Sequence, residues 1–237
     1  MEDAGMSFPR IVQNETLDHL PGNDPRAMRS RQDLQRINRL MGSKLIMLHA
    51  IRNAAISPPR RILELGAGDG TLMLSLAQSL APKWPKVRLG LLDKQNLVTP
   101  QTLHAIQRLG WQPEIIEQDV LDWAAQPYAE DWDLVLANLF IHHFEGDDLQ
   151  GLLAAISSRC KAFIACEPRR SKFALSSSRM VSLLGANDVT QEDAVLSVQA
   201  GFCKRELSSL WPHRYRSWNL RESEAGLFSH CFSAVRA

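Results

Sequence analysis

A glycine-rich stretch, a series of acidic residues and a pair of adjacent histidines are the parts of this sequence whose types and spacing can do chemistry. Gly66-Ala67-Gly68-Asp69-Gly70 follows the short apolar run Ile62-Leu63-Glu64-Leu65. Glycines at that spacing permit a tight turn and let a ligand approach bare backbone. Asp93 closes a second apolar run and can accept two hydrogen bonds from a ribose diol. Asp119 closes a third; its carboxylate can accept from an adenine amino group, and the backbone N–H of Val120 can serve a ring nitrogen. A fourth run ends at Asn138 and opens a turn with His142 and His143.

Two nucleotide-type ligands compete for such a loop. The dinucleotide fingerprint G-x-G-x-x-G offers a helix N-terminus to a pyrophosphate. Here the third glycine arrives one residue early, at Gly70, and Thr71 holds its place. Glu64 and Asp69 would repel a pyrophosphate. They suit a ligand with a cationic amine or sulfonium, such as S-adenosylmethionine.

The elements that must position these residues alternate. Strands are expected at Ile62–Leu65, Lys86–Leu92, Glu114–Glu117, Asp133–Ala137 and Ala162–Cys166, with helical patterns between them. Thr99-Pro100 reads as a cap with proline at the first helical position, and Asp147 as the cap of the helix after the histidines. Such alternation means β-α-β units and a parallel sheet covered on both faces. In such a sheet ligands bind at the carboxyl ends of the strands, where the residues above fall. Upstream, residues 1 to about 25 read as an irregular lead-in. Residues 26–57 read as one helix, apolar through Leu34, Ile37, Leu40, Met41, Leu45, Leu48 and Ile51, and basic on its other face through Arg26, Arg29, Arg31, Arg36, Arg39, Lys44 and Arg52. That face is either solvated or a lid over an anionic ligand. Later, Phe173–Leu184 and Glu192–Ala200 look helical, the second opened by a Thr190/Asp193 capping box. Cys203–Leu207 and Leu227–Val235 read as two final strands.

These motifs, in this order, resemble the class I S-adenosylmethionine-dependent methyltransferases. The resemblance is carried by Glu64-Leu65-Gly66-Ala67-Gly68-Asp69-Gly70, Leu92-Asp93, Gln118-Asp119-Val120, Asp131 to Asn138, and the turn Leu139-Phe140-Ile141-His142-His143-Phe144, which is similar to the N-x-x-x-H-H turn of small-molecule enzymes. It covers roughly residues 60–166. It implies an α/β fold, a Rossmann-like seven-stranded, mostly parallel sheet with helices on both faces and an antiparallel final hairpin. Residues 1–57 would be a lead-in and helical lid, and 58–237 the methyltransferase domain. It also implies S-adenosylmethionine as cofactor. Glu64, Gly66, Ala67 and Gly68 would line its methionine part. Asp93 with Lys94 would serve the ribose, Asp119 and Val120 the adenine, and Asn138 with Leu139 the sulfonium and methyl group.

The acceptor is less legible. A histidine is a common agent for removing an acceptor's proton, which makes His142 and His143 candidate catalytic bases; each can equally be a packing or capping residue. Arg169 and Arg170, just after the fifth strand, could hold an acceptor carboxylate or phosphate. Enzymes that methylate exposed amino groups often carry Asn or Asp followed by Pro-Pro and an aromatic residue. Asn138-Leu139-Phe140-Ile141 departs from that pattern. The expected acceptor is a small aromatic or lipophilic metabolite. RNA, protein, and a cofactor-binding protein without transfer activity remain the alternatives. Trp211 to Trp218 interleaves aromatic and basic residues that could stack bases, but no RNA-binding module accompanies it, and nucleic acid is not the expected partner.

Composition fits a soluble globular protein. Of 237 residues, 27 are Lys or Arg and 26 Asp or Glu, so there is no global pull toward polyanions. Cys160, Cys166, Cys203 and Cys231 form no C-x-x-C pair and lie in apolar stretches, so reduced buried thiols and no metal site are expected. The acidic start, Met1 to Met6, is no secretory signal, and no apolar run nears the roughly 20 residues of a bilayer span. A cytoplasmic location is expected; oligomeric state is open.

Overall fold

The computed structural model describes residues 8–127, 131–212 and 217–237. Seven strands form one sheet in the order β3-β2-β1-β4-β5-β7-β6. They are β1 (Arg61–Leu65), β2 (Arg88–Asp93), β3 (Gln112–Glu117), β4 (Trp132–Asn138), β5 (Cys160–Pro168), β6 (Trp218–Ala225) and β7 (Ser229–Arg236). The first five pair in parallel, and β7 runs antiparallel between β5 and β6. This is the expected Rossmann-like fold with its antiparallel final hairpin. The strand order reverses between β1 and β4, which opens a crevice at their carboxyl ends.

Alternate residues of each strand face opposite layers. Ile62, Leu89, Leu134, Leu136 and Ile164 pack beneath α3 (Ser43–Asn53), α4 (Thr71–Leu80) and α5 (Pro100–Arg108). Leu63, Leu65, Val135, Ala137 and Phe163 pack against α6 (Val120–Ala125), α7 (Gly146–Arg159) and α10 (Glu206–Leu210). Thr99 caps α5 as expected, its side chain accepting from Thr102 N–H. The cap of α7 is Glu145 rather than Asp147, which lies in the first turn.

The upstream helix is two helices. α2 (Pro25–Met41) ends at Gly42, whose φ of 72° is left-handed, and α3 starts at once. The apolar period runs through both, and only the glycine marks the break. α3 buries Met47, Leu48 and Ile51 in the sheet's own core, so this part of the expected lid belongs to the sheet's packing. The lead-in also contains a short helix, α1 (Thr16–His19).

The last third differs most from expectation. In place of the two expected helices stand α8 (Lys172–Ser178), a 3-10 turn at Val181–Leu184, and α9 (Asp188–Ala200), which Asn187 caps. Thr190 and Asp193 therefore sit inside α9. Residues 203–207 are not a strand; they lead into and begin α10. In the aromatic and basic stretch, His213 to Arg216 lie outside the described residues. Trp211 is 1% exposed and stacks on Phe163 with ring centroids 5.6 Å apart, while Trp218 meets it edge-on. These two rings pack the core rather than await a base. All four cysteines are buried thiols. Among the described residues, no helix is long and apolar enough to cross a membrane.

Candidate active site

The site is built at the switch point. After β1 the chain turns through Gly66, Gly68 and Gly70, each with positive φ. Gly66 allows no substitute: a Cβ there would lie 2.2 Å from the Phe140 ring. Asp93, at the end of β2, holds the loop, its Oδ2 accepting from Gly68 N–H at 2.9 Å and its Oδ1 from Gln95 N–H at 3.0 Å. After β4 the chain passes Leu139 in a left-handed conformation, φ 52°. A leucine there stores strain that surrounding contacts must hold, as happens where backbone shapes a site.

Two adjoining cavities occupy the crevice. One, of about 240 Å³, is lined by Glu64, Gly66, Ala67, Gly68, Asn138 and His142 among others. The second, of about 340 Å³, is lined by Asp119, Val120, Phe140 and His143 among others. Glu15, Asp18, Asp93, Lys94 and Leu139 line both. The structure thus brings together all ten cofactor residues and both histidines expected from the sequence.

Three buried polar atoms without hydrogen-bond partners belong to residues lining the first cavity: Glu64 Oε2, Asn138 Oδ1 and His142 Nε2. Glu64 is 3% exposed. Burial, then the nearby charges of Asp69 and Asp93, push its carboxyl well above the ordinary carboxylate range. A buried, unpaired acid is costly, and a cation or strong donor placed beside it would relieve that cost.

The cover is the N-terminal segment. α2 lays Leu34, Gln35 and Asn38 over the first cavity, with Arg31 from its basic series. The Gln35 amide donates to Asp69, tying cover to glycine loop. α1 is fixed from α9: Asp193 accepts Thr16 N–H at 2.8 Å and Leu17 N–H at 3.0 Å, capping α1 instead of its own helix. Arg10 donates to the carbonyls of His142 and Phe144, and stands 4.5 Å over the Phe202 ring.

The two histidines have different surroundings. His142 is 2% exposed, with Nδ1 2.8 Å from Glu167 Oε2 and Nε2 3.4 Å from Glu15 Oε1. Glu167, at the end of β5, also accepts the backbone N–H groups of Phe140, Ile141 and His142, so it shapes the turn. Burial pulls the His142 pKa down, but Glu15 and Glu167 outweigh it and push it up to about 9. His143 keeps 19% of its side chain exposed, and its Nδ1 lies 3.1 Å from Asp18 Oδ2. Burial opposes the Glu15 and Asp18 charges, yet the facing histidines hold both carboxyls below the ordinary range.

Arg169 and Arg170 stand elsewhere. Neither is among the residues lining the two cavities. Arg169 pairs with Glu224. Arg170 is 4% exposed; it donates to the carbonyls of Phe8 and Gly201 and pairs with Glu206. It clamps the N-terminal segment to the base of α10. Conversely, sequence reasoning missed Glu15, Asp18, Gln35, Glu167 and Ser197. For Glu15 and Asp18 the one available signal was two acids one helical turn apart in a short lead-in.

No protein-family model and no curated protein matches this chain by sequence. Solved structures do match in fold. A 1,6-didemethyltoxoflavin-N1-methyltransferase from Burkholderia thailandensis, solved with its substrate and S-adenosylhomocysteine, is 17% identical; the match covers 87% of this chain and 82% of that one, with a TM-score of 0.55. The mitomycin 7-O-methyltransferase is 19% identical over 93% of this chain and 60% of its own, TM-score 0.53. An O-methyltransferase family protein from Burkholderia thailandensis is 16% identical over 76% of this chain, TM-score 0.50, and this match spans about half of its length, 51%.

Proposed function

We propose that this chain, which has the fold of the class I S-adenosylmethionine-dependent methyltransferases, binds S-adenosylmethionine and methylates a small aromatic or lipophilic metabolite. The observation that carries this reading is the two unpaired buried oxygens, Glu64 Oε2 and Asn138 Oδ1, at one glycine-lined cavity. The Glu64 and Asn138 oxygens call for donors or positive charge, which the ammonium and sulfonium of that cofactor carry. A pyrophosphate would bring negative charge to the same place. S-adenosylhomocysteine in the B. thailandensis N1-methyltransferase supports the same choice.

Each residue then has a role. Glu64 and the bare backbone of Gly66, Ala67 and Gly68 hold the methionine part, with Arg31 facing its carboxylate. Asp93 binds the ribose hydroxyls through lone pairs its loop bonds leave free, and Lys94 flanks it. Asp119 and Val120 take the adenine. Asn138 and the strained Leu139 stand beside the reacting carbon. The cofactor supplies an electrophilic methyl group on a good leaving group, so the chain's main work is alignment and exclusion of water. Of the two histidines, His142 is shut between two carboxylates. His143, backed by Asp18 and partly open to the cleft, is the one placed to meet the acceptor's exchangeable proton.

A cleft roofed by α1 and α2 favours a small acceptor over RNA or a folded protein. The test is transfer of label from methyl-labelled S-adenosylmethionine to a metabolite extract, an RNA extract and a protein extract. Label in the metabolite fraction is expected. Label in RNA or protein alone would overturn the acceptor class, and cofactor uptake without label in any fraction would mark a binding protein.

A further inference from the structure

We propose that Glu15, His142 and His143 form a binding site for one divalent transition-metal ion, zinc foremost, where the two cavities meet. A carboxylate oxygen and one nitrogen of each ring all lie within 4.8 Å of one another. His142 Nε2, in a residue 2% exposed, faces Glu15 Oε1 at 3.4 Å, longer than an ordinary hydrogen bond. That separation is the edge of a tetrahedral site: two ligands each about 2.0–2.1 Å from zinc stand about 3.4 Å apart.

The surroundings are those of ligating side chains. Glu167 lies at Nδ1 of His142 and Asp18 at Nδ1 of His143. A carboxylate on Nδ1 fixes the ring and presents Nε2 to the ion, which displaces any Nε2 proton on binding; metal-ligating histidines are oriented in this way. Glu15 is equally fixed, accepting from the Ser197 hydroxyl while Asp193 holds the next two backbone N–H groups. The sequence reading expected no metal because the cysteines form no C-x-x-C pair; Glu15 lies far upstream of the histidines, in a segment that only the fold brings to them.

Three protein ligands with a fourth position toward a cavity are the pattern of a catalytic rather than a structural ion. Two imidazoles and a carboxylate suit zinc, cobalt or manganese better than magnesium, which prefers an all-oxygen shell. The fourth position would take an oxygen of the acceptor, a hydroxyl, phenolate or carboxylate. In the ion-loaded protein the ion, rather than the His143 ring, lowers the acceptor's proton affinity. Only this last role rests on the methyltransferase reading; the ion site itself rests on the three side chains.

The test is to strip the full chain with chelator and titrate it with Co²⁺ alone, following visible absorption. One equivalent of Co²⁺ with the intense bands of a four-coordinate site is expected, displaced by Zn²⁺ and not by millimolar Mg²⁺. Glu15→Gln and His143→Asn should each weaken Co²⁺ binding at least 10-fold, and Asp18→Asn roughly 10-fold through the supporting carboxylate, at unchanged helix content by circular dichroism. If one variant does not fold, the other two decide. S-adenosylhomocysteine uptake by the wild-type chain is measured on the same material. Uptake of that compound with no stoichiometric Co²⁺, or variants binding Co²⁺ as tightly as wild type, would overturn the ion site and leave the methyltransferase reading standing.

Discussion

Asp93 Oδ2 accepts the backbone N–H of Gly68 at 2.9 Å, so the end of β2 holds the glycine loop of β1 in place. The carboxylate assigned to the ribose is also the one that shapes the backbone under the methionine end. Ligand and loop share a single anchor, and affinity should be sensitive to it.

Asp93→Ala should therefore weaken S-adenosylhomocysteine binding by 10-fold or more, equivalent to about 1.5–3 kcal/mol for lost hydrogen bonds to a charged acceptor. Asp93→Asn keeps one acceptor oxygen and should fall between. Calorimetry reads both; unchanged affinity in the alanine variant removes Asp93 from the site.

Glu64 gives a pH-dependent outcome. Its folded-state pKa is raised, by burial first and by Asp69 and Asp93 second. The folded chain then holds a proton that the unfolded chain releases. Stability without cofactor should fall as pH rises from the ordinary glutamate range through the raised value. Glu64→Gln should remove that fall and raise the neutral-pH melting temperature by at least about 2 °C, while weakening cofactor binding. Since a cationic ligand favours the ionised acid, wild-type binding should release a proton and tighten with rising pH. Calorimetry in buffers of different ionisation enthalpy measures that release, and its absence would contradict the role of Glu64.

Gly66→Ala meets two penalties, a left-handed φ of 68° and a Cβ 2.2 Å from Phe140. The variant should lose about 1–3 kcal/mol of stability and most of its cofactor affinity. A chemical-denaturation midpoint equal to wild type would mean that the loop is shaped differently.

Arg170→Met separates clamp from acceptor contact. Losing the donor to the Phe8 and Gly201 carbonyls, and the pair with the half-exposed Glu206, should lower the melting temperature by several degrees, in keeping with about 1–3 kcal/mol for a buried acceptor left unsatisfied, while cofactor affinity stays within 2-fold. A stable variant with a raised acceptor KM would restore Arg170 to the acceptor site.

The sheet and its rim were legible because period, caps and strand-end residues agree locally: Glu64 stands one residue before the end of its apolar run, Asp93, Asp119 and Asn138 stand at or just past the ends of theirs, and the fold gathers them on one edge. What was not legible depends on contacts distant in sequence. Glu15 and Asp18 acquire meaning only when Asp193 and Arg10 hold their segment over the histidine turn. Arg170 reads as a free cation until Glu206 and the Phe8 carbonyl reach it. Gly42 interrupts a helix whose apolar period continues unbroken on either side. The strand expected at Cys203–Leu207 does not form: Glu222 from β6 accepts the N–H groups of Leu207 and Ser208, and the segment winds into α10.

The measurement that bears most directly on the account is equilibrium dialysis of the purified chain against S-adenosylmethionine, S-adenosylhomocysteine and a nicotinamide dinucleotide. Saturable binding of the first two at one per chain, with none of the third, is predicted. Dinucleotide uptake, or no uptake of either sulfur compound by folded protein, would contradict it.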